Sequence, residues 1–68
     1  MDLQKWSFIL KELRERDGLT QEALGNIVGI EQTIISKMER GVMKIGIKKA
    51  MIFAKFFNED FRIFLEEQ

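Results

Sequence analysis

Five polar side chains between residues 32 and 40 recur at a spacing that places them on one face of a helix. Residues three or four positions apart are neighbours on a helix surface. A carboxamide and a hydroxyl both donate and accept hydrogen bonds, whereas lysine and arginine only donate. This set favours hydrogen bonding to a partner that offers donors, acceptors and negative charge. The five residues are Gln32, Thr33, Ser36, Lys37 and Arg40.

The side chains that most catalytic and metal sites use are missing. The 68 residues include no histidine and no cysteine, which removes the commonest general base, the commonest metal ligand and the thiol nucleophile. The carboxylates are scattered over helical surfaces. We therefore expect no enzyme activity, no metal and no cofactor, and no small-molecule ligand is evident.

Length and hydropathy limit the architecture. A chain of 68 residues forms one domain, here 1–68, with a small core. No apolar run approaches the roughly 20 residues that span a membrane, and the N-terminal segment is not basic. These features predict a soluble, cytoplasmic protein without membrane contact.

Charge is balanced over the whole chain but not along it. There are 11 basic and 11 acidic residues, yet residues 31–55 contain six basic residues and only two acidic ones. Nucleic-acid-binding domains usually show such a basic stretch, although ordinary surface charge gives the same pattern. Lys48, Lys49 and Lys55 are expected to form a solvated helix face.

Apolar residues at helical spacing predict helices and no strand. Thr20 is a suitable N-cap and Gly41 a suitable end for two of the helices. The apolar face of helix two is predicted to contain Ala23, Leu24, Ile27 and Val28. The predicted helices cover about 2–16, 20–28, 31–40, 47–57 and 59–66, the last capped by residues 58–60. The fold class is therefore all-α, a compact five-helix domain.

Two glycines lie where helices two and three would meet. Gly29 can take the left-handed conformation that a tight turn requires. Gly25 is expected to face the start of helix three, where a larger side chain would force the helices apart. Two short helices joined in this way form a helix-turn-helix, whose second helix lies in the major groove of DNA. The residues predicted to be buried at this junction are Leu24, Val28, Ile30, Ile35 and Met38.

Residues 10–41, and more loosely the chain up to residue 65, resemble the phage Cro and CI repressor family, also called the Xre-type helix-turn-helix family. The matching features are Arg14, Thr20-Gln21-Glu22, Leu24 with a small residue after it, Gly29, Ile35-Ser36 and Glu39-Arg40-Gly41. The resemblance implies a lambda-repressor-like DNA-binding domain, encoded by a bacterium or phage and associated with the nucleoid.

The resemblance also implies which residues read bases. Gln32 matches a glutamine that pairs with adenine, and a carboxamide can bond the amino group and N7 of adenine together. Thr33, Ser36 and Lys37 share its exposed face and are the other expected base readers. Lys37 could donate to guanine, and the methyl group of Thr33 could contact that of thymine.

Phosphate contacts are expected around these base readers. Gln21 matches a family position that touches a phosphate, at a helix N-terminus that favours anions, and Arg40 and Lys44 follow helix three. Arg14 and Glu39 resemble the family's ion pair between helix one and the end of helix three. That pair could hold Arg14 near the phosphates, be an ordinary surface pair worth about 0 to 1 kcal/mol, or do both.

Two residues near the start of helix three depart from the family pattern, and Ile45 stands where a proline is common after that helix. Glu31 occupies the usual place of a capping Ser or Thr, and its carboxylate would repel phosphate unless it accepts from a cytosine amino group. Ile34 stands where a small polar residue is common, and we expect it to be partly buried.

The C-terminal segment has more large apolar side chains than so small a core readily encloses. Either all of them are core, or some form an exposed patch that binds a second copy. The second reading predicts a symmetric dimer that places two recognition helices about 34 to 36 Å apart on a palindromic operator. The interface residues it predicts are Phe56, Phe57, Phe61, Phe64 and Leu65.

These patterns together predict a sequence-specific transcriptional regulator, a repressor that binds double-stranded DNA as a homodimer with helix 31–40 in the major groove. The alternative is an antitoxin-like or regulatory protein-interaction module with the same fold. A strong salt dependence of DNA binding would separate the two, because each neutralised phosphate releases counterions.

Overall fold

The structure, a computed structural model, describes residues 5–65. Within them the chain forms four α-helices and a final 3₁₀ helix, and no strand. The all-α class is as predicted. The helices are α1 (Lys5–Arg16), α2 (Gln21–Val28), α3 (Gln32–Glu39) and α4 (Ile47–Phe57), and the 3₁₀ helix covers Phe61–Phe64. Residues 2–4 of predicted helix one and residue 66 of predicted helix five lie outside the described residues.

The prediction of a fifth α-helix is wrong. Asn58 does not start a new helix but ends α4 in the left-handed conformation, with φ 59°. Asp60 then caps a single turn by accepting a hydrogen bond from the backbone N–H of Arg62. Leu65 is already extended, so the segment closes as one 3₁₀ turn.

The core lies where the four α-helices and the 3₁₀ helix meet, and α2 and α3 contribute Leu24, Ile35 and Met38 to it. Phe53 and Phe64 are fully buried, and their ring centroids lie 5.7 Å apart. Trp6 and Leu10 of α1 are buried with them. Phe64 therefore belongs to the core although it sits on the last short turn.

The predicted apolar face of helix two is buried unevenly. Leu24 is fully buried, and Ala23 and Val28 are partly buried, but 54% of Ile27 is exposed. Ile27 instead borders a shallow apolar groove between α2 and α4 with Val28, Ile52, Lys55 and Phe56. An eight-residue helix has room for only a narrow buried stripe, and Leu24 and Gly25 already fill it.

Candidate nucleic-acid interface

The outer face of α3 and the start of α2 form one shallow, polar groove. Six side chains line it, and none of them is acidic. They are Gln21, Gln32, Thr33, Ser36, Lys37 and Arg40. Six of the eight residues predicted to contact DNA are thus brought together on one surface, which offers hydrogen-bond donors, acceptors and two positive charges.

The angle between α2 and α3 is fixed by close backbone contact at Gly25. A Cβ atom built on Gly25 would lie 2.5 Å from the carbonyl oxygen of Ile30 and 3.5 Å from the amide nitrogen of Gln32. The packing role predicted for this glycine is therefore confirmed. Since the contact is with backbone, any side chain here would force α2 away from the start of α3.

Hydrogen bonds of the backbone and of one capping side chain fix the start of α2 and the turn that follows it. Thr20 caps α2 by accepting from the N–H of Ala23 at 3.0 Å, and Gly29 ends α2 in the left-handed conformation, with φ 75°. The N–H groups of Gly29 and Ile30 both donate to the carbonyl of Gly25. Both predicted roles, the Thr20 cap and the Gly29 turn, are confirmed.

The end of α3 is closed by a second left-handed glycine, Gly41, with φ 77°. The N–H of Gly41 donates to Met38, and the N–H of Val42 donates to Lys37. This pair of bonds is the Schellman arrangement, which satisfies the last carbonyls of a helix. It leaves Arg40 exposed at the rim of the groove and Lys44 exposed in the loop that follows.

A buried ion pair joins α1 to the last turn of α3. The Nε and Nη2 atoms of Arg14 donate to the two carboxylate oxygens of Glu39 at 2.7 and 3.0 Å. Nη1 of Arg14 donates to the carbonyl of Leu19 at 2.6 Å. Hydrogen bonding to Glu39 raises the pKa of Arg14 above its ordinary value despite partial desolvation. The side chains are 10% and 3% exposed, so this is not an ordinary surface pair.

Gln21 is a third partner of Arg14 and Glu39, and sequence reasoning did not predict it. Oε1 of Glu39 also accepts from Nε2 of Gln21 at 3.0 Å. Gln21 begins α2, whereas Glu39 ends α3, and residues so far apart in sequence give no periodic signal. The two residues lie at the outer ends of the two-helix unit, far from the turn that joins α2 to α3.

Glu31 and Ile34 occupy the places expected of them near the start of α3. Glu31 is exposed at the N-cap position, and its carboxylate makes no capping hydrogen bond. Ile34 is partly buried against the core, as predicted. The carboxylate of Glu31 therefore lies exposed next to the first turn of α3.

The predicted dimer residues fall into two groups. Phe57 and Phe64 are core residues in the described chain. Phe56 is 37% exposed and lies at the α2–α4 groove, and Phe61 and Leu65 are half-buried. Only the latter three have surface to offer a partner.

Other kinds of site are not apparent among residues 5–65. No helix in this range is long and apolar enough to cross a membrane. No group of three or more acidic side chains there is arranged to hold a metal ion.

A two-helix unit with a polar outer helix defines a helix-turn-helix domain, and the family comparison agrees. The helix-turn-helix family matches residues 10–64, from α1 through the final 3₁₀ helix. The chain belongs to this Xre-type family of DNA-binding transcriptional regulators. The resemblance noted in the sequence is thereby confirmed.

Individual relatives agree with this assignment. A protein of Archaeoglobus fulgidus, described as an uncharacterized HTH-type transcriptional regulator, is 37% identical over 62 residues, which cover 87% of each chain. The restriction-modification controller protein C.AhdI from Aeromonas hydrophila is 28% identical with a TM-score of 0.80, over 94% of this chain and 93% of that one. The wild-type controller protein C.Esp1396I is 31% identical with a TM-score of 0.76, over 90% and 79% respectively.

Proposed function

We propose that this protein is a sequence-specific repressor that inserts residues 31–40 into the major groove of a palindromic operator and blocks transcription by occupying it. The observation that supports the proposal most is the polar groove, in which the start of α2 and the exposed face of α3 present six donors or acceptors and no acid. Such a surface matches the phosphate oxygens and base edges of DNA.

The roles divide by position in the groove. Gln32 is exposed at the first turn of α3, where recognition helices meet base edges, and we assign it to adenine. Thr33, Ser36 and Lys37 read the neighbouring bases. These four residues supply sequence discrimination.

The phosphate contacts lie at the groove's edges. We assign them to Gln21 at the start of α2 and to Arg40 and Lys44 after the end of α3. Arg14 has three of its nitrogen atoms engaged by Glu39 and Leu19, so its contribution to phosphate binding acts mainly through the residues it holds.

The protein acts as a homodimer in this proposal. Two copies of one recognition helix read a palindrome when a two-fold axis relates them. Phe56, Phe61 and Leu65 supply the apolar surface, since Phe57 and Phe64 are used by the core. Sedimentation of a monomer at high micromolar concentration would contradict this part of the proposal.

The first experiment is selection of binding sites from random duplex DNA, followed by affinity measurement with wild type, Gln32→Ala and Lys11→Ala. Gln32→Ala is expected to lose about 1 to 3 kcal/mol and to relax one base pair per half-site. Lys11 is exposed on α1 and outside the groove, so Lys11→Ala should retain the selected sequence. Equal, weak binding by all three proteins would reject base reading by α3.

A second candidate, a protein-interaction module, is favoured by one observation. The groove between α2 and α4 exposes Ile27, Ile52 and Phe56, and an exposed apolar patch often binds a partner. A salt series separates the candidates, because each phosphate contact adds about 0.9 to the slope of log affinity against log salt. Arg40→Ala should lower that slope by about 0.9 only if DNA is the ligand.

A further inference from the structure

The bond between Gln21 and Glu39 fixes the orientation of an amide at the edge of the groove. An ionised carboxylate only accepts hydrogen bonds, so Nε2 of Gln21 must face Glu39, as it does at 3.0 Å. The amide oxygen then points away. Among the described residues, neither the second N–H of Nε2 nor the amide oxygen has a hydrogen-bond partner. Gln21 also lines the polar groove.

Glu39 is itself held rigidly. Its side chain is 3% exposed, and Arg14 donates a hydrogen bond to each carboxylate oxygen. Arg14 in turn donates to the carbonyl of Leu19, two residues before Gln21. The amide of Gln21 is therefore anchored through α3 and α1 as well as through its own helix.

We propose that Glu39 is a positioning residue for DNA binding, which holds the Gln21 amide in one orientation before DNA arrives. The proposal rests on the proposed function. A long polar side chain that is ordered only on binding weakens affinity through lost rotamer freedom, and prior ordering avoids that loss. Arg14 acts here by keeping the buried carboxylate paired, and Gln21 offers its remaining N–H to a phosphate.

The test begins with the free protein. Relaxation of side-chain amide ¹⁵N nuclei should give Gln21 an order parameter near the roughly 0.85 of rigid backbone, against less than about 0.6 for Gln32. Gln32 is the matched control because its amide is exposed and makes no hydrogen bond to the described residues. A Gln21 amide as mobile as that of Gln32 would overturn the proposal.

The second arm compares the effect of Gln21→Ala in two backgrounds. Arg14→Met/Glu39→Met removes the acceptor together with its partner, which avoids an unpaired buried charge and leaves the net charge unchanged. We expect Gln21→Ala to weaken operator binding about tenfold in wild type and at most about threefold in the double variant. Equal losses in both backgrounds would show that Glu39 contributes only to folding.

Unfolding of the double variant and failure of wild type to select DNA would each change what the test shows. If circular dichroism shows the double variant unfolded, Glu39→Gln replaces it, because a neutral amide can face Gln21 with either its oxygen or its nitrogen and so releases the orientation. If wild type selects no DNA sequence, the proposed function fails. An ordered Gln21 amide in that protein would then show that the bond to Glu39 serves folding and not DNA binding, whereas a mobile amide would reject the positioning itself.

Discussion

At the scale of single residues, Gln21 and Gln32 show how one side-chain type is used in two ways. Gln21 is partly buried and held by Glu39, whereas Gln32 is exposed at the start of α3 without a side-chain partner. In the proposed interface, the held amide of Gln21 meets a phosphate and the exposed amide of Gln32 meets a base edge. The family resemblance already separated the two proposed roles, but no local signal in the sequence predicted that Glu39 holds Gln21.

A pH-dependent contribution to stability is expected from Asp60. Its pKa is lowered from 3.8 to about 2 because the guanidinium and then the backbone N–H of Arg62 donate to the carboxylate. A group whose pKa falls on folding stabilises the protein above its unfolded pKa and loses that contribution as pH falls through the folded value. This contribution should therefore be present above pH 3.8 and disappear near pH 2.

Carbon-13 titration of the Asp60 carboxyl group in wild type and Arg62→Gln would measure this. Arg62→Gln removes the guanidinium, which is the larger cause of the lowered pKa, and keeps the backbone N–H. The pKa of Asp60 should therefore rise part of the way from about 2 towards 3.8. An identical midpoint in the two proteins would show that Arg62 does not set it.

At the scale of helices, the N-terminus of α3 lacks a side-chain cap, since Glu31 makes no such bond. We expect Glu31→Ser to stabilise the fold by roughly 0.5 to 1 kcal/mol through a new cap. It should also strengthen DNA binding, because it removes a carboxylate that repels phosphate. Urea unfolding and operator titration would measure the two effects.

The matched control is Glu22→Ser, which removes an exposed acid from the first turn of α2, where Thr20 already provides the cap. Glu22→Ser should give no new cap and no gain in stability. Weaker operator binding by Glu31→Ser, with lost preference at one base pair, would instead show that Glu31 accepts from a cytosine amino group.

The helices of the chain could be predicted from sequence where local signals were strong. Thr20, Gly29 and Gly41 marked the boundaries of α2 and α3 because capping and left-handed turns depend on single residue types. The fifth helix failed because Asn58 and Asp60 suit either a helix start or a turn, and packing of Phe64 decided between them. The partly buried hydrogen bond between Gln21 and Glu39 could not be predicted for a similar reason, since it depends on tertiary packing.

At the scale of the whole molecule, stability depends strongly on Phe64. It is fully buried on a four-residue turn and packs against Phe53. Phe64→Ala is expected to cost about 3 to 5 kcal/mol, a large fraction of the total for so small a domain. Thermal and urea unfolding should show either a much lower midpoint or no folded state.

Phe8→Ala provides the comparison, because Phe8 is 57% exposed on α1. Its loss should change the free energy of unfolding by no more than about 0.5 kcal/mol. Similar losses in the free energy of unfolding for the two variants would mean that packing of the 3₁₀ turn contributes little to the core.

The 3₁₀ turn packs against α1 as well as α4, which affects the order of events during synthesis. The recognition helix leaves the ribosome well before Phe64 does. Until then Trp6 and Phe53 of the nascent chain lie in an incomplete core, because Phe64 has not yet packed. The helices that carry these residues are not yet held at fixed angles. In the proposed function, operator binding would therefore require that Phe64 has already packed between α1 and α4.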